Sequence, residues 1–471
     1  MSRVDVLVLG GGPTGLGGAY QLSRHLGVDW MLCEAQTAFG GLSRSFVDSA
    51  GFTWDLGGHV FFSHYDFVSD LLQRALGPTG WFDHQREAWV RLGSSWIPYP
   101  FQNNLHRLPP EIRDSCLRGL VAAASLQVTS HAVPRNFASF IDQTFGRGIA
   151  EAFMTPYNEK VWAYSLDELS YEWIGERVSV PDVETVLANA AAGADDVDWG
   201  PNNRFMFPKS GGTGEFWSGV ARLLPQDRIR IGAEAVAIDV EAKRVEFADG
   251  EVVSYVHLIT TLPLDVTARM VGDSDLVTLT SGLKHSSVNV VGLGVDRAVG
   301  DRLGSRCWIY SPQRDIPFYR VTNFSHYSPT HVPPGSGCAS LLVEVSESPH
   351  RPVDQEQLVD SVVRGLVSTG ILFDPGEVFH TWTRRVAYAY PTPTLGRDEI
   401  LDRALGLLES KQVYSRGRFG AWRYEVGNMD HSFAQGYEAA ARILTGSAET
   451  TVWNPGLSNS RHPALGWGRL R

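Results

Sequence analysis

The feature that most constrains this chain is a strand, glycine turn and helix at its start. Val4 to Leu9 is apolar except for one aspartate, and Gly10-Gly-Gly12-Pro13-Thr14-Gly15 follows directly, opening a predicted helix over 16–26. A second apolar run, 30–33, ends at Glu34, nineteen residues after Gly15. In this context the turn and the helix N-terminus can hold a pyrophosphate while the acid binds ribose hydroxyls. The sequence therefore predicts a dinucleotide-binding βαβ unit.

A second glycine turn indicates which dinucleotide is bound. Gly40, Gly41, Leu42 and Ser43 come just after the acid, which suits the longer reach of FAD across a domain. Gly292-x-Gly294 has no third glycine, and the glycines at 211–214 follow a proline instead of a strand. The sequence therefore predicts one FAD domain beside a substrate domain, and argues against reductases with separate FAD and NADPH domains.

The remaining patterns predict an α/β fold with three interleaved regions. Residues 105–191 read as mostly helical, whereas 228–263 read as an antiparallel meander with a turn at Asp249-Gly250. Further strands are expected at 288–295, 307–310, 318–324, 340–346 and 378–386. We expect a discontinuous, Rossmann-like FAD-binding domain, an inserted helical domain with mobile loops, and an antiparallel sheet domain. Their expected bounds are 1–88 with 205–268 and 416–471, then 105–204, then 89–104 with 269–415.

The charge balance and the cysteines narrow the function classes. The net charge of −11 argues against a chain that coats nucleic acid or an anionic membrane, so an anionic substrate needs a local basic pocket. The four cysteines are far apart with no C-x-x-C pair, which predicts free thiols. No apolar run is long enough to span a membrane, and no cleavable signal is apparent, so we expect a cytoplasmic protein.

Two histidines stand beside a glycine pair. His59 and His64 are five residues apart without a third ligand, so no metal site is predicted. Gly57 and Gly58 instead permit close approach of the backbone to a planar ring. By spacing alone, His59 is more often a satisfied core residue than a functional one.

Seven separated motifs together resemble the UDP-galactopyranose mutase family, in its longer branch, over residues 4 to about 435. They are GGHVFFSH (57–64), IPYPFQNN (97–104), PYNEKVW (156–162), GERV (175–178), GPN (200–202), YPTPT (390–394) and GRFGAWRYEVGN (417–428). The resemblance implies a flavoprotein fold of the glutathione-reductase-2 or amine-oxidase type. It also implies an isomerase that interconverts UDP-galactopyranose and UDP-galactofuranose through a flavin N5–sugar adduct of reduced FAD, without net redox change. NAD(P)H is the implied electron donor.

The resemblance also implies roles for individual residues. His59 and the Gly58 carbonyl would lie near the reactive edge of the flavin, and Arg177 and Arg320 would clamp the diphosphate. The implied substrate-binding residues are Tyr99, Phe101, Gln102, Asn158 and Trp162 for uridine, Asn202 and Trp308 for the sugar, and Tyr310, Tyr390 and Tyr424 for the phosphates. The implied flavin contacts are Gly57, Arg418, Gly427, Asn428, Met429 and Ser432, besides the glycine turns and Glu34.

Three residues depart from the family pattern: Met206, Glu159 and Met429. They leave open which base and sugar the pocket prefers. A mutase of the same mechanism acting on another nucleotide sugar, for natural-product or glycan biosynthesis, is therefore one alternative. An FAD-dependent oxidase or desaturase of the amine-oxidase type is the second, although two arginines suit an apolar tunnel poorly. A non-catalytic nucleotide-sugar binder would not need FAD. The oligomeric state, a homo-oligomer included, is also open.

Overall fold

The computed structural model describes residues 2–129 and 133–459 of the chain. The strands are β1 (Ser2–Leu9), β2 (Trp30–Glu34), β3 (Ser45–Val47), β4 (Thr53–Asp55), β5 (Trp81–Gln85), β6 (Ala88–Leu92), β7 (Ser95–Pro98), β8 (Arg204–Pro208), β9 (Ile229–Ile231), β10 (Ala235–Asp239), β11 (Arg244–Phe247), β12 (Val252–Thr260), β13 (His285–Val295), β14 (Trp308–Tyr310), β15 (Arg320–Asn323), β16 (Ala339–Glu347), β17 (Val378–Pro391) and β18 (Val413–Ser415). The helices are α1 (Pro13–Ser23), α2 (Asp66–Leu76), α3 (Pro110–Thr129), α4 (Phe137–Ile149), α5 (Thr155–Trp162), α6 (Val183–Ala192), α7 (Gly214–Arg222), α8 (Leu264–Val271), α9 (Ser274–Thr280), α10 (Arg297–Leu303), α11 (Leu358–Ser368), α12 (Arg397–Ser410), α13 (Met429–Thr445) and α14 (Pro455–Asn459).

The first sheet is built around β1, which is buried between two parallel neighbours. Val6 lies opposite Trp30 of β2 and His257 of β12. β10, β11 and β12 form the expected antiparallel meander, and β18 joins the C-terminal end of β12 in parallel. The prediction was wrong for β9, which pairs in parallel with β2. β9 does not fold back onto the meander. After β9, the N–H groups of Gly232 and Ala233 still donate hydrogen bonds to carbonyls at the end of β2 and just beyond it.

Two glycine-lined helices close the back of this sheet. α1 begins at Pro13, three residues before the expected start, because proline favours the first helical position. α1 packs on α13 without room for side chains between them. A Cβ at Gly17 would lie 2.1 Å from the carbonyl oxygen of Phe433, and one at Gly436 would lie 1.8 Å from that of Thr14. The first and last long helices therefore share one buried contact.

The second sheet has seven strands in the order β17-β13-β16-β15-β14-β6-β7. All neighbours are antiparallel except β6 and β14, which run parallel. The five strands expected between 288 and 386 are confirmed, and β17 extends to Pro391. Arg320 on β15 lies directly opposite Glu344 on β16. This register places two ionisable side chains at one point of a buried sheet.

The region 105–191 is mostly helical, as expected. It contains α3 to α6, with a π-helical turn, Ala150–Met154, between α4 and α5. The four cysteines are free thiols, as predicted. Among the residues described, no helix combines the length and apolar character that crossing a membrane would require. The division into three domains stays a prediction.

Candidate functional site

The first glycine turn forms a cradle in which side chains cannot fit. A Cβ at Gly15 would lie 1.7 Å from the carbonyl oxygen of Gly10, and Gly10 itself has a φ of 101°. A Cβ at Gly12 would lie 3.6 Å from the Cα of Gly41, so the two glycine turns face each other. Bare backbone at a helix N-terminus is what a pyrophosphate requires. These residues fit FAD.

The neighbouring predicted cofactor residues extend this cradle. The carboxylate of Glu34 accepts hydrogen bonds from the backbone N–H groups of Gly11 and Gln36, which fixes its orientation at the end of β2. The N–H of Gly40 donates to the carbonyl of Gly11 at 2.9 Å. The buried Thr14 side chain packs against Gly417, where a Cβ would lie 2.3 Å from Thr14 Oγ1.

Two cavities meet beside this cradle. A groove lined by Glu34 and Gly41 shares Leu42, Leu56 and Val386 with a larger cavity. The larger cavity collects most of the predicted site residues from all three regions of the chain. They are Leu42, Ser43, Gly58, His59, Tyr99, Gln102, Asn158, Trp162, Arg177, Asn202, Trp308, Tyr310, Arg320, Tyr390, Arg418, Tyr424, Gly427, Asn428 and Met429. The two cavities thus share part of their walls, between the acid of the nucleotide fold and the start of α13.

Other predicted residues lie next to this cavity without lining it. Phe101 is fully buried, and its ring stacks on that of Phe153 with centroids 4.7 Å apart. Gly57 precedes the lining residue Gly58 and has a φ of 150°, a backbone conformation that favours glycine. Ser432 is buried in the first turn of α13, where its N–H donates to the carbonyl of Asn428 at 2.8 Å.

The three departures from the family pattern differ in position. Glu159 forms an ion pair with Arg314 on the outer side of α5 and does not line the cavity. Met206 packs among the apolar residues beneath the first sheet, also away from the cavity lining. Met429 does line the cavity, as the first residue of α13. Only Met429 can therefore contact a ligand directly.

Several cavity residues carry buried polar atoms that have no hydrogen-bond partner among the residues described. They are His59 Nδ1, Gln102 Oε1, Trp162 Nε1, Arg177 Nε and Trp308 Nε1. Buried polar groups in folded proteins are nearly always paired, and an unpaired one is costly. A polar ligand in this cavity would satisfy them.

His59 is held neutral. Burial lowers the pKa of His59 to about 4, with Arg320 and Arg418 adding to the effect and Glu344 opposing it. The ring lies over the glycine pair, because a Cβ at Gly57 would lie 3.3 Å from His59 Nε2. His59 can therefore accept or donate a hydrogen bond at neutral pH, but it brings no charge to the cavity.

Arg320 is anchored by a buried acid. Glu344 accepts hydrogen bonds from Arg320 Nε and from Arg320 Nη2, the latter at 2.8 Å. Tyr319 Oη also donates to Glu344, at 2.9 Å, and lies 3.2 Å from the hydroxyl of Tyr390. Although burial opposes ionisation, Arg320 holds the pKa of Glu344 below its usual range. Arg320 thus lines the cavity as one member of a charged pair with Glu344, not as a lone cation.

Two further cavity arginines, Arg177 and Arg418, contact the segment that leads into α13. Arg177 donates to Asn428 Oδ1 at 3.1 Å and to the Glu425 carbonyl at 2.8 Å, and its guanidinium lies 4.8 Å from the centre of the Tyr424 ring. Arg418 donates to the carbonyls of Ala389 and Gly427. These contacts join the helical region, β17 and the start of α13 at one side of the cavity.

Sequence reasoning missed many of the other lining residues, among them Arg86, Tyr157, Trp199, Tyr319, Glu344 and Asp430. One signal was available, because Glu344 interrupts the apolar run 341–345, and a buried acid in such a run needs a partner. Asp430 adjoins the predicted Met429 and accepts a hydrogen bond from His64 Nδ1 at 2.7 Å. The others follow from tertiary packing that spacing does not reveal.

Comparison with known proteins places this site in a class. The model of the flavin containing amine oxidoreductase family matches residues 13–444, which is most of the chain. The chain therefore belongs to the flavin containing amine oxidoreductase family. This membership agrees with the FAD that the two glycine turns predict.

Solved structures narrow the comparison. A crystal structure of reduced UDP-galactopyranose mutase is 44% identical, with a TM-score of 0.92, and the alignment covers 98% of each chain. The resemblance found in the seven motifs is thereby confirmed. A protoporphyrinogen oxidase from Exiguobacterium sp. 255-15 is 16% identical over 95% of this chain and 99% of its own, with a TM-score of 0.70. A variant of putrescine oxidase is 15% identical over 95% of this chain and 100% of its own, with a TM-score of 0.65. These two share the fold.

Proposed function

We propose that this chain is a flavin-dependent mutase that interconverts UDP-galactopyranose and UDP-galactofuranose without net redox change. The observation that carries the proposal is that one cavity collects the predicted flavin, uridine, sugar and diphosphate contacts. The 44% identity to UDP-galactopyranose mutase over almost the whole chain supports the same activity. An amine oxidase shares the fold at far lower identity, and its substrate would not need a cavity with several arginines.

FAD is held by the two glycine turns, Glu34 and the segment before α13. When bound and reduced, FAD supplies the nucleophile for the anomeric carbon of the sugar. The chain itself supplies position and charge. The N-terminus of α13, with Asn428 as its cap, favours negative charge on the group it faces.

The diphosphate is the part of the substrate that the arginines recognise. Arg177 reaches the cavity from the helical region and Arg320 from the second sheet, so the two guanidinium groups come from different parts of the chain. Planar guanidinium forks match phosphate oxygens and stabilise a separated UDP while the sugar ring opens and recloses. Tyr310, Tyr390 and Tyr424 add hydroxyl donors.

The uridine lies among the residues of the 97–104 segment and α5. Gln102 donates to the carbonyl of Ser179, and its Oε1 remains for the edge of the base. The ring of Tyr99 provides an aromatic face, and it packs at an angle against Tyr310 with centroids 5.3 Å apart. Asn158 donates to the Met154 carbonyl at 2.7 Å and keeps its oxygen for a ligand donor.

The electron donor is proposed to be NADPH or NADH. Since the sequence carries one dinucleotide-binding turn, the donor would enter through the nucleotide-sugar cavity and reduce the flavin from there. UDP should then compete with NADPH in flavin reduction. Reduction that is unaffected by saturating UDP would place the donor elsewhere.

The deciding experiment is chromatography of UDP-galactofuranose after incubation with purified protein reduced by dithionite. We expect UDP-galactopyranose to form with reduced protein and not with oxidised protein. Other nucleotide sugars incubated in parallel test the alternative that the cavity prefers another base or sugar. Equal turnover by oxidised and reduced protein, or no turnover of any nucleotide sugar, would refute the proposal.

A further inference from the structure

We propose that Glu344 is a positioning residue, which fixes the orientation of Arg320 so that its end-on pair of N–H groups is presented to the diphosphate. This inference rests on the proposed function. Glu344 is fully embedded in β16, with a side chain 3% exposed, and the side chain of Arg320 is 15% exposed. The two residues are register partners in neighbouring strands, so the pair is built into the sheet.

The geometry divides the guanidinium into two edges. Glu344 accepts from Nε and Nη2, which is the side-on edge of Arg320. A guanidinium has five N–H donors, so three remain, including the end-on pair of Nη1 and Nη2. Within the chain as described, no other hydrogen bond from this guanidinium occupies them. Arg320 also lines the cavity. The acid thus takes one edge and leaves the opposite edge for a bidentate phosphate contact.

Further contacts hold Glu344 itself in place. The hydroxyl of Tyr319 donates to Oε1 at 2.9 Å, and the backbone N–H of Gly58 approaches Oε2 at 3.3 Å. Each carboxylate oxygen therefore accepts two hydrogen bonds. The same carboxylate touches the loop of Gly58 and His59 and the anchor of the diphosphate. Glu344 therefore links the loop that would lie near the flavin to the arginine that would bind the diphosphate.

The sign of the effect separates this role from simple electrostatics. A carboxylate near the diphosphate repels an anion, so removal of its charge should strengthen UDP binding if Arg320 kept its position. If Glu344 positions Arg320, the Glu344→Gln variant binds UDP more weakly although its cavity is one charge more positive. The amide can accept at only one of its two ends, which breaks the side-on contact.

The experiment is a double-mutant cycle on the FAD-loaded, reduced protein, with the Kd of UDP as the readout. In the wild-type background, Glu344→Gln should raise the Kd of UDP by about tenfold. In an Arg320→Lys background, the same change should raise the Kd by less than about twofold, because lysine has no guanidinium edge for Glu344 to hold. Glu347→Gln is the matched control. Glu347 lies on the same strand and pairs with Arg385, and neither residue lines the larger cavity, so the Kd of this variant should equal that of the wild type.

Glu344→Asp is the second variant, because it keeps the charge and shortens the side chain. The positioning role predicts weaker UDP binding for this variant also. Unchanged or tighter binding by Glu344→Gln, or equal effects of this change in both backgrounds, would overturn the inference. Loss of FAD or of folding in both variants would also overturn it, and would assign Glu344 to stability. If the wild-type protein itself did not bind UDP, the proposed function would fail before any variant was compared.

Discussion

Replacement of Arg177 is the sharpest test of the diphosphate clamp. The structure gives this guanidinium two hydrogen bonds, to Asn428 and to the carbonyl of Glu425, and a stacked position over Tyr424. Its Nε is buried and has no hydrogen-bond partner within 2–129 and 133–459, so at least one N–H donor is available to a ligand. Hydrogen bonds to charged groups contribute about 1.5–3 kcal/mol each. Loss of one such contact in Arg177→Ala should therefore weaken UDP binding by about 10- to 150-fold.

Arg177→Lys separates charge from geometry. A lysine keeps the positive charge but has no planar fork and cannot stack on an aromatic ring in the same way. We expect a Kd between those of the wild type and Arg177→Ala, with a larger loss in kcat/KM than in binding of UDP. The larger kinetic loss follows because a clamp on the separated diphosphate contributes more in the transition state than in the ground state.

The assay is titration of reduced, FAD-loaded protein with UDP, followed by turnover of UDP-galactofuranose. The matched control is Arg147, an exposed arginine of the same helical region that pairs with Glu151 four residues away. Arg147→Ala should leave both readouts at the wild-type level. If Arg177→Ala bound UDP as tightly as the wild type and kept its FAD, Arg177 would not belong to the clamp.

Three further predictions follow from other parts of the molecule. Gly15→Ala should abolish FAD binding, seen as loss of the flavin absorbance, because its Cβ would overlap a backbone oxygen, whereas Gly406→Ala, with nothing within 4 Å, should retain full FAD content. Because the pKa of His59 is lowered to about 4, its ring stays neutral above pH 5. Any inflection of kcat/KM between pH 5.5 and 8 should therefore persist in His59→Asn, and an inflection near pH 6.5 that disappears would contradict this. UDP should slow hydrogen exchange in 174–181 and 199–204, and unchanged exchange in both would exclude their closure over the ligand.

The nucleotide fold was predictable because its signals are local. A strand, a glycine turn and a helix follow one another within about twenty residues, and proline and glycine set the backbone there. The position of β9 was not predictable in this way. Its three residues have the same alternating pattern as the neighbouring meander, and the choice of a parallel partner depends on β2, which is distant in sequence.

Many residues of the site could be predicted from the sequence, but the contacts between them could not. Arg320 could be named from the family resemblance, but its bond to Glu344 depends on the register of β15 against β16. Phe101 was expected to contact the uracil base, but it lies in the core against Phe153. Spacing alone cannot distinguish an aromatic side chain that lines a cavity from one that packs directly behind the cavity wall. The roles of the individual site residues remain predictions for the variants above.

The contact between α1 and α13 determines when the nucleotide fold can be completed during synthesis. The backbone of α1 fits against Phe433 and Gly436, so the back of the nucleotide fold stays open until α13 is present. During synthesis the first βαβ unit, which ends at Glu34, leaves the ribosome about 395 residues before α13 begins at Met429. Domains usually fold as units as they emerge, but this one is completed only by a helix that is distant in sequence. FAD should therefore be acquired only after α13 has been synthesised, and a chain that stops before α13 should emerge without FAD.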